Sequence, residues 1–183
     1  IREEAGDKLI IAEDLGDITP AVGALLKYSG FPGMRVFQFA FMGDSSTPHR
    51  PHNYINNCIS YTGTHDNETL NGWVAAMDKK SLKFVKKYLN VRKKSEIPMA
   101  VIRAAWGSVA EVAVAQMQDF LDSPKEGRMN TPSTLGNNWQ FRTKSEQFTS
   151  QLAKKINVNL MKKEDNKDVQ ALRTDGRDRQ SET

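Results

Sequence analysis

Short apolar runs alternate with amphipathic stretches along the first 120 residues of the chain. Four of the runs are rich in β-branched and aromatic residues and are bounded by turn-forming residues, as expected of buried strands. None alternates strictly between apolar and polar positions, which is typical of strands covered on both faces of a sheet. The pattern predicts four strands: LIIA (9–12), RVFQFAF (35–41), CISYT (58–62) and VAVAQM (112–117).

Helical spacing of apolar residues fills the segments between these runs. Thr19 is placed to cap a helix that begins at Pro20 and ends at Gly30. Apolar residues three and four apart predict further helices near 70–77, 79–94 and 95–107. Strands that alternate with helices form parallel sheets, because a parallel return needs a crossover connection. The sequence therefore predicts an α/β fold.

Carboxylates gather where the predicted strands end. In parallel β/α folds ligands bind at the carboxyl ends of the strands, so a Glu and an Asp from two different strand ends can converge on one substrate. The alternative is that each acid caps the next helix, which suits Asp14 and Asn67 but not Glu13, since Glu is a weak N-cap residue. For His65 and Asp66 the alternative is a local pair within a turn. The segments concerned are Glu13-Asp14, Gly63-Thr64-His65-Asp66-Asn67 and Gln118-Asp119.

Paired carboxylates beside polar loops suit glycoside chemistry. One acid donates a proton to the leaving oxygen, while an ionised one attacks or stabilises the anomeric carbon. Aspartates at strand ends also serve metal and phosphate sites, so this pattern alone leaves those uses open. The loops near the strand ends supply polar and aromatic partners for sugar hydroxyls: His52, Asn53, Tyr54, His65, Asn67, Asn137, Asn138 and Trp139.

Composition narrows the class of protein. The 183 residues are 38% hydrophobic and 26% charged, as in globular domains, and no run approaches the roughly 18 to 20 apolar residues of a membrane span. A single cysteine, Cys58, argues against disulfide scaffolds and cysteine-rich zinc modules. Residues 1–77 hold 5 basic and 9 acidic side chains, whereas 78–183 hold 21 and 13. Much of this excess lies in 79–94, whose spacing favours a solvated helix face over a nucleic-acid surface.

Four ordered segments of the chain closely resemble one enzyme family. They are similar to the C-terminal half of the 4-alpha-glucanotransferases, the amylomaltases or disproportionating enzymes of glycoside hydrolase family 77 in the α-amylase clan. The resemblance covers about residues 1–145. The segments are IIAEDLGDITPAV (10–22), GFPGMRVFQFAF (30–41), PHNYINNCISYTGTHDNETLNGW (51–73) and RMNTPSTLGNNWQFR (128–142).

The resemblance implies the C-terminal half of a (β/α)₈ TIM barrel, with about four parallel strands and their helices. It implies that Glu13 is the general acid/base and that Asp66 holds sugar hydroxyls and stabilises the transition state. His65, Asn67, Asn138 and Trp139 are the implied substrate contacts. The family's nucleophile is an Asp at the end of the barrel's fourth strand, upstream of the AEDLG block, and it does not occur in this sequence.

The implied reaction is retaining double displacement on α-1,4-glucans and malto-oligosaccharides, ending in transfer to an acceptor 4-hydroxyl. The reaction requires no metal or organic cofactor, and the resemblance implies a bacterial-type cytoplasm or a plastid stroma. The absence of a long apolar run and the spacing of 79–94 argue against membrane and nucleic-acid partners. The resemblance also implies one protein partner, the N-terminal half of the same barrel, which is missing from this sequence. We therefore expect the chain to be a fragment that is inactive alone.

Two alternatives to a transferase fragment stay open. The chain can be a non-catalytic glucan-binding remnant, or an unrelated basic module that binds an acidic partner through 79–94. The expected layout is a half barrel over 1–145, a terminal helix over 146–163 and a flexible, disordered tail over 164–183. The tail is expected to stay disordered because it is highly charged and has few apolar residues to bury.

Overall fold

A computed structural model of the chain describes the backbone of residues 2–164 and the side chains of residues 3–158. In this part of the chain the strands are β1 (Gly33–Val36), β2 (Cys58–Tyr61) and β3 (Val112–Val114). The helices are α1 (Arg2–Ala5), α2 (Pro20–Ser29), α3 (Leu70–Ala76), α4 (Lys79–Tyr88), α5 (Ile97–Trp106), α6 (Met117–Phe120) and α7 (Ser150–Glu164).

The three strands form one parallel sheet in the order β1-β2-β3. Gly33 lies opposite Cys58 and Ile59 lies opposite Val112, so β2 is the central strand. Each parallel step is made through intervening helical segments, as a crossover requires. The predicted α/β class with a parallel sheet is confirmed.

The first predicted strand, LIIA (9–12), is not formed as a strand. Only Ala12 makes an isolated parallel bridge, to Gly33, through a 2.9 Å hydrogen bond from its amide to the Pro32 carbonyl. Leu9 and Ile11 stay 64% and 41% exposed. Within the described residues this segment has a neighbouring strand, β1, on one side only. A segment at the edge of a sheet leaves the backbone groups on its other side unpaired.

Two other predicted strands are shorter than the sequence indicates. The RVFQFAF run leaves the sheet after Val36 and turns into a 3₁₀ segment at Phe37–Phe39, where the Ala40 amide bonds the Phe37 carbonyl. The VAVAQM run ends as a strand at Val114 and enters α6 at Met117. The expectation of burial on both faces is also wrong for β3, since Val112 and Val114 are about 40% exposed.

The ends of α2 follow the predicted chemistry, whereas the helix predicted near 79–94 ends at Tyr88. The Thr19 hydroxyl accepts a hydrogen bond from the Val22 amide at the start of α2, and Gly30 ends this helix with a φ of 66°. Such a positive φ favours glycine, because a Cβ clashes in that conformation. At the start of α4 the Asp78 carboxylate accepts from the Lys80 and Ser81 amides.

The core lies between the sheet and the helices that follow β2. Helix α5 packs against β2, β3, α3 and α7. The Phe37 ring meets the Trp73 ring edge to face, with centroids 6.4 Å apart. The buried core residues are Phe37, Leu70, Val74, Val85, Ile97, Val101, Ile102, Phe120 and Leu152.

The end of the chain carries the last helix. Helix α7 spans Ser150–Glu164, where the sequence predicts a helix over 146–163, and Leu152 joins the core. Most of the predicted tail, 165–183, lies outside the described residues. None of the helices described has both the length and the apolar character needed to cross a membrane.

Candidate functional site

The turn that follows β2 carries the predicted acid Asp66. It begins after Thr62 and ends at Thr69, whose hydroxyl caps α3 by accepting a hydrogen bond from the Gly72 amide. Within the turn, Asn67 Oδ1 accepts from the Thr64 amide at 2.8 Å and from the Thr64 hydroxyl at 2.9 Å. The interpretation of Asn67 as a helix cap is wrong, because Thr69 fills that position.

The Asp66 carboxylate is held through one of its two oxygens. Asp66 Oδ1 accepts a 2.5 Å hydrogen bond from Asn130 Nδ2 and lies 3.3 Å from His65 Nε2. The Asp66 side chain remains 44% exposed. Within the described part of the chain Oδ2 has no hydrogen-bond or ion-pair partner, so it can accept a hydrogen bond from a ligand.

Arg128 ties this turn to the loop that follows α6. Its Nη2 donates to the Asp66 carbonyl at 2.6 Å, its Nε donates to the Asn130 carbonyl at 2.8 Å, and its Nη1 pairs with the Glu68 carboxylate. The Asn130 amide also donates to the His65 carbonyl at 3.1 Å. The guanidinium fork thereby connects both loops through several donors at once.

Glu13 reaches the site from the chain before α2, next to an anchored neighbour. Asp14 Oδ1 accepts from the Met34 amide at 2.5 Å, and Oδ2 pairs with Arg35 Nη1 at 2.8 Å. The interpretation of Asp14 as a helix cap is wrong, because its carboxylate binds β1 instead. This anchor and the Ala12 bridge hold Glu13 on the sheet's first edge.

The two predicted acids line one pocket. A cavity of about 310 Å³ lies over the ends of β2 and β3 and beside Met34 of β1, and Glu13, His65 and Asp66 are among its walls. The other walls include Tyr61, Gly63, Thr64, Val114, Gln116 and Met129. The ends of β2 and β3 therefore meet here, and the carboxyl ends of parallel strands are where β/α folds bind ligands. Among the side chains described, those of residues 3–158, no group of His, Cys, Asp or Glu is arranged to hold a metal ion.

The family profile of the 4-alpha-glucanotransferases matches residues 1–149 of this chain. The chain belongs to the 4-alpha-glucanotransferase family. Relatives with that name are 48% identical over 157 residues in Clostridium butyricum and 45% identical over 145 residues in the chloroplastic/amyloplastic enzyme of Arabidopsis thaliana. These alignments cover 85% and 79% of this chain but only 32% and 25% of the relatives, so the chain spans about a third of their length or less.

Solved structures of amylomaltases share this fold. The amylomaltase of Streptococcus agalactiae in complex with acarbose superposes with a TM-score of 0.83 at 35% identity, covering 89% of this chain and 33% of that chain. The amylomaltase of Corynebacterium glutamicum has a TM-score of 0.61 at 16% identity, covering 85% of this chain and 28% of that chain, which speaks to the fold alone.

The other predicted substrate contacts differ in where they lie relative to the pocket. Trp139 lies beside the site, its ring centroid 5.0 Å from that of His65, and the Trp139 side chain is exposed. Asn138 is bound within its own loop: its Oδ1 accepts from the Thr131 amide and its Nδ2 donates to the Thr134 carbonyl. Asn67 is committed to Thr64. Neither asparagine lines the pocket.

Sequence reasoning missed several residues that build this candidate site. Arg128 and Asn130 lie in the same RMN segment that carries the family resemblance, but basic and amide side chains in loops give no periodic signal. Gln116 lines the pocket and donates to the Thr64 carbonyl at 2.6 Å. Its position directly after the VAVA run could have identified it, because residues that follow parallel strands lie at the edge of the sheet where ligands bind.

Asp119 is the buried acid beneath the site. It is only 2% exposed, and its carboxylate accepts hydrogen bonds from the Leu70 amide at 2.8 Å and from the Thr62 hydroxyl at 2.9 Å. Burial raises the pKa of Asp119 to about 6, because desolvation of the carboxylate outweighs these two hydrogen bonds. Asp119 is therefore ionised at neutral pH at a cost in stability.

We expect this cost to appear as a pH dependence of folding. A carboxyl whose pKa is higher in the folded than in the unfolded chain destabilises the fold once it ionises, so its penalty grows as the pH rises from about 4 to about 6. Asp119→Asn should therefore gain about 2 kcal/mol relative to the parent chain between pH 4 and pH 7. Urea unfolding at both pH values measures the gain, and an unchanged difference between the two proteins would contradict it.

Proposed function

We propose that the protein to which this chain belongs transfers α-1,4-glucan segments to the 4-hydroxyl of an acceptor sugar by retaining double displacement. The support is the pocket over the strand ends, which two carboxylates from separate segments, Glu13 and Asp66, line together in a chain of the glucanotransferase family. The neighbour from Streptococcus agalactiae is in complex with acarbose, so malto-oligosaccharides and their analogues are the proposed ligands. The proposed setting is a bacterial cytoplasm or a plastid stroma.

Glu13 is the proposed general acid/base. Its side chain is exposed on the pocket wall, and within the described residues its carboxylate makes no hydrogen bond or ion pair. An untethered carboxyl can give its proton to a leaving glycosidic oxygen and then take one from an acceptor hydroxyl. The acceptor sugar replaces water in the second step, which makes the outcome transfer.

Asp66 is the proposed sugar-binding acid. The donor from Asn130 fixes Oδ1, which leaves Oδ2 for a sugar hydroxyl. The exposed rings of His65 and Trp139 beside it offer a surface against which a sugar ring can pack. Asn67 and Asn138 then act by shaping the loops around the pocket, whereas the family resemblance implies that they contact the sugar directly.

The proposal extends to the architecture. The three-stranded sheet is then part of the C-terminal half of a (β/α)₈ barrel, and the exposed residues at its edges, such as Ile11 and Val114, face the remaining barrel. The nucleophilic Asp lies outside these 183 residues, so the chain alone is inactive. The proposed layout is barrel over 1–145, terminal helix over 146–163 and tail over 164–183.

The alternative is a glucan-binding remnant that has kept Asp66 and His65 for binding without catalysis. The pocket favours neither reading by itself, because the same walls can bind a glucan with or without transfer. What distinguishes them is turnover when the rest of a glucanotransferase is supplied.

A chimeric enzyme provides this test. Residues 1–149 replace the matching segment of the Clostridium butyricum relative, and the product is incubated with maltotriose. We expect glucose and longer malto-oligosaccharides from the chimera and none from the isolated chain. Acarbose binding without transfer would indicate the remnant, and Asp66→Ala should abolish that binding. Transfer by the isolated chain would contradict the missing nucleophile.

A further inference from the structure

The segment after β3 reaches across to the turn after β2 at several points. Gln116 Nε2 donates to the Thr64 carbonyl at 2.6 Å, and the Asp119 carboxylate accepts from the Thr62 hydroxyl at 2.9 Å and from the Leu70 amide at 2.8 Å. These contacts link neighbouring strands whose ends carry the pocket walls. The sequence separation between Thr62 and Asp119 makes them long-range tertiary contacts.

Asp119 bonds to both ends of the turn that carries the site. Thr62 is the last residue before the turn and Leu70 is the first residue of α3, so His65 and Asp66 lie between the two donors. All three partners are buried: Thr62 and Leu70 are fully buried and Asp119 is 2% exposed. A single carboxylate with one oxygen on each donor therefore fixes the distance between the start and the end of the turn.

The opposite side of the turn is held separately. Arg128 and Asn130 bind its outer, part-buried side through the Asp66 carbonyl and carboxylate. Those contacts are made by a loop, which can shift with its surroundings. The contacts of Asp119 come from inside the fold, where close packing leaves little room for adjustment.

A purely structural acid would be a poor choice at this position. Within the described residues no charged side chain pairs with Asp119, and a buried carboxylate without such a partner lowers stability. A buried carboxylate with a hydrogen-bond donor on each oxygen rigidifies the groups that it joins. The neighbouring acid Asp122 differs, since it is exposed and pairs with Lys155.

We propose that Asp119 is a positioning residue, which sets the placement of His65 and Asp66 by holding the two ends of the turn that carries them. This inference rests on the proposed function for its catalytic consequence, but the positioning itself is a property of the fold. Asp119 does not line the pocket, so its proposed role is to hold the turn from behind the pocket and not to contact a ligand.

Two pairs of variants distinguish a change in the position of the turn from a general loss of stability of the fold. Thr62→Val removes the hydroxyl donor at nearly constant shape, and Thr62→Ser keeps it. Asp119→Ala removes both acceptors, whereas Asp119→Asn can accept from the Leu70 amide and donate to the Thr62 oxygen. Asp122→Asn is the matched control, because it neutralises a nearby exposed acid and Asn tolerates the φ of 53° found there.

Hydrogen exchange of the 183-residue chain is the first measurement. We expect Thr62→Val and Asp119→Ala to speed exchange of the amides of 64–70 about tenfold relative to those of α5, because the turn opens locally. For Thr62→Ser, Asp119→Asn and Asp122→Asn the ratio of exchange in 64–70 to exchange in α5 should stay within about twofold of the ratio in the parent. Unchanged exchange in 64–70, or acceleration that is equal in the turn and in α5, would overturn the proposal.

Kinetics in the chimera is the second measurement. Thr62→Val should lower kcat about tenfold and change KM less than about twofold, since a displaced Asp66 weakens the transition state more than the bound ground state. Thr62→Ser, which keeps the hydroxyl donor, should have the kcat of the parent chimera. A rise in KM with kcat unchanged would overturn the catalytic part. An inactive parent chimera would count against the proposed function, while the exchange experiment still decides the positioning.

Discussion

Replacing Glu13 by Gln in the chimera should lower turnover about 10²- to 10⁴-fold, the range expected when a general acid/base is lost. The amide keeps the size and hydrogen bonding of the side chain but cannot transfer a proton. Acarbose affinity, measured by titration calorimetry, should therefore change little. The combination of lost turnover and retained binding would identify proton transfer as the contribution of Glu13.

The control for this substitution is Glu4→Gln, which neutralises an exposed acid in α1, outside the pocket walls. It should leave both turnover and acarbose affinity unchanged. Near-normal turnover in Glu13→Gln would remove the acid/base assignment. A parallel loss of binding and turnover would instead make Glu13 a substrate contact.

The sequence predicts the parts of this fold that depend on local patterns. The cap at Thr19, the stop at Gly30 and the strand at 58–61 follow from side-chain chemistry and from runs of apolar residues. The meeting of Glu13 and Asp66 at one pocket follows from a topological rule, since parallel strand ends share one edge of the sheet.

The remaining features depend on tertiary neighbours. The run LIIA has the composition of a strand, but in the described residues it finds a partner on one side only. Asp14 has the sequence position of a cap, yet the Met34 amide and Arg35 offer its carboxylate stronger contacts. Arg128 reaches a turn about sixty positions earlier in the chain. No local pattern encodes such partners, because each is created only when the sheet forms.

The contact of Asp14 with Arg35 should contribute strongly to the stability of the fold. The two side chains are only 8% and 11% exposed, and Asp14 also accepts the Met34 amide. Asp14→Ala leaves the nearly buried Arg35 guanidinium without its counter-charge, although Nη1 still donates to the Met34 carbonyl, and leaves the Met34 amide without its acceptor, so we expect a loss of about 3 to 5 kcal/mol. Urea unfolding of the 183-residue chain measures this loss.

Two further variants test the physical cause. Asp17→Ala removes an exposed acid three residues later and should cost less than about 0.5 kcal/mol. Gly33→Ala should act on the same contact, because its Cβ would lie 2.5 Å from Asp14 Oδ2 and push the carboxylate away from β1. If Asp14→Ala and Asp17→Ala lowered stability equally, the buried pair would not be the cause. If they differ as expected, Gly33→Ala in the chimera should also lower kcat, since Glu13 moves with its anchored neighbour.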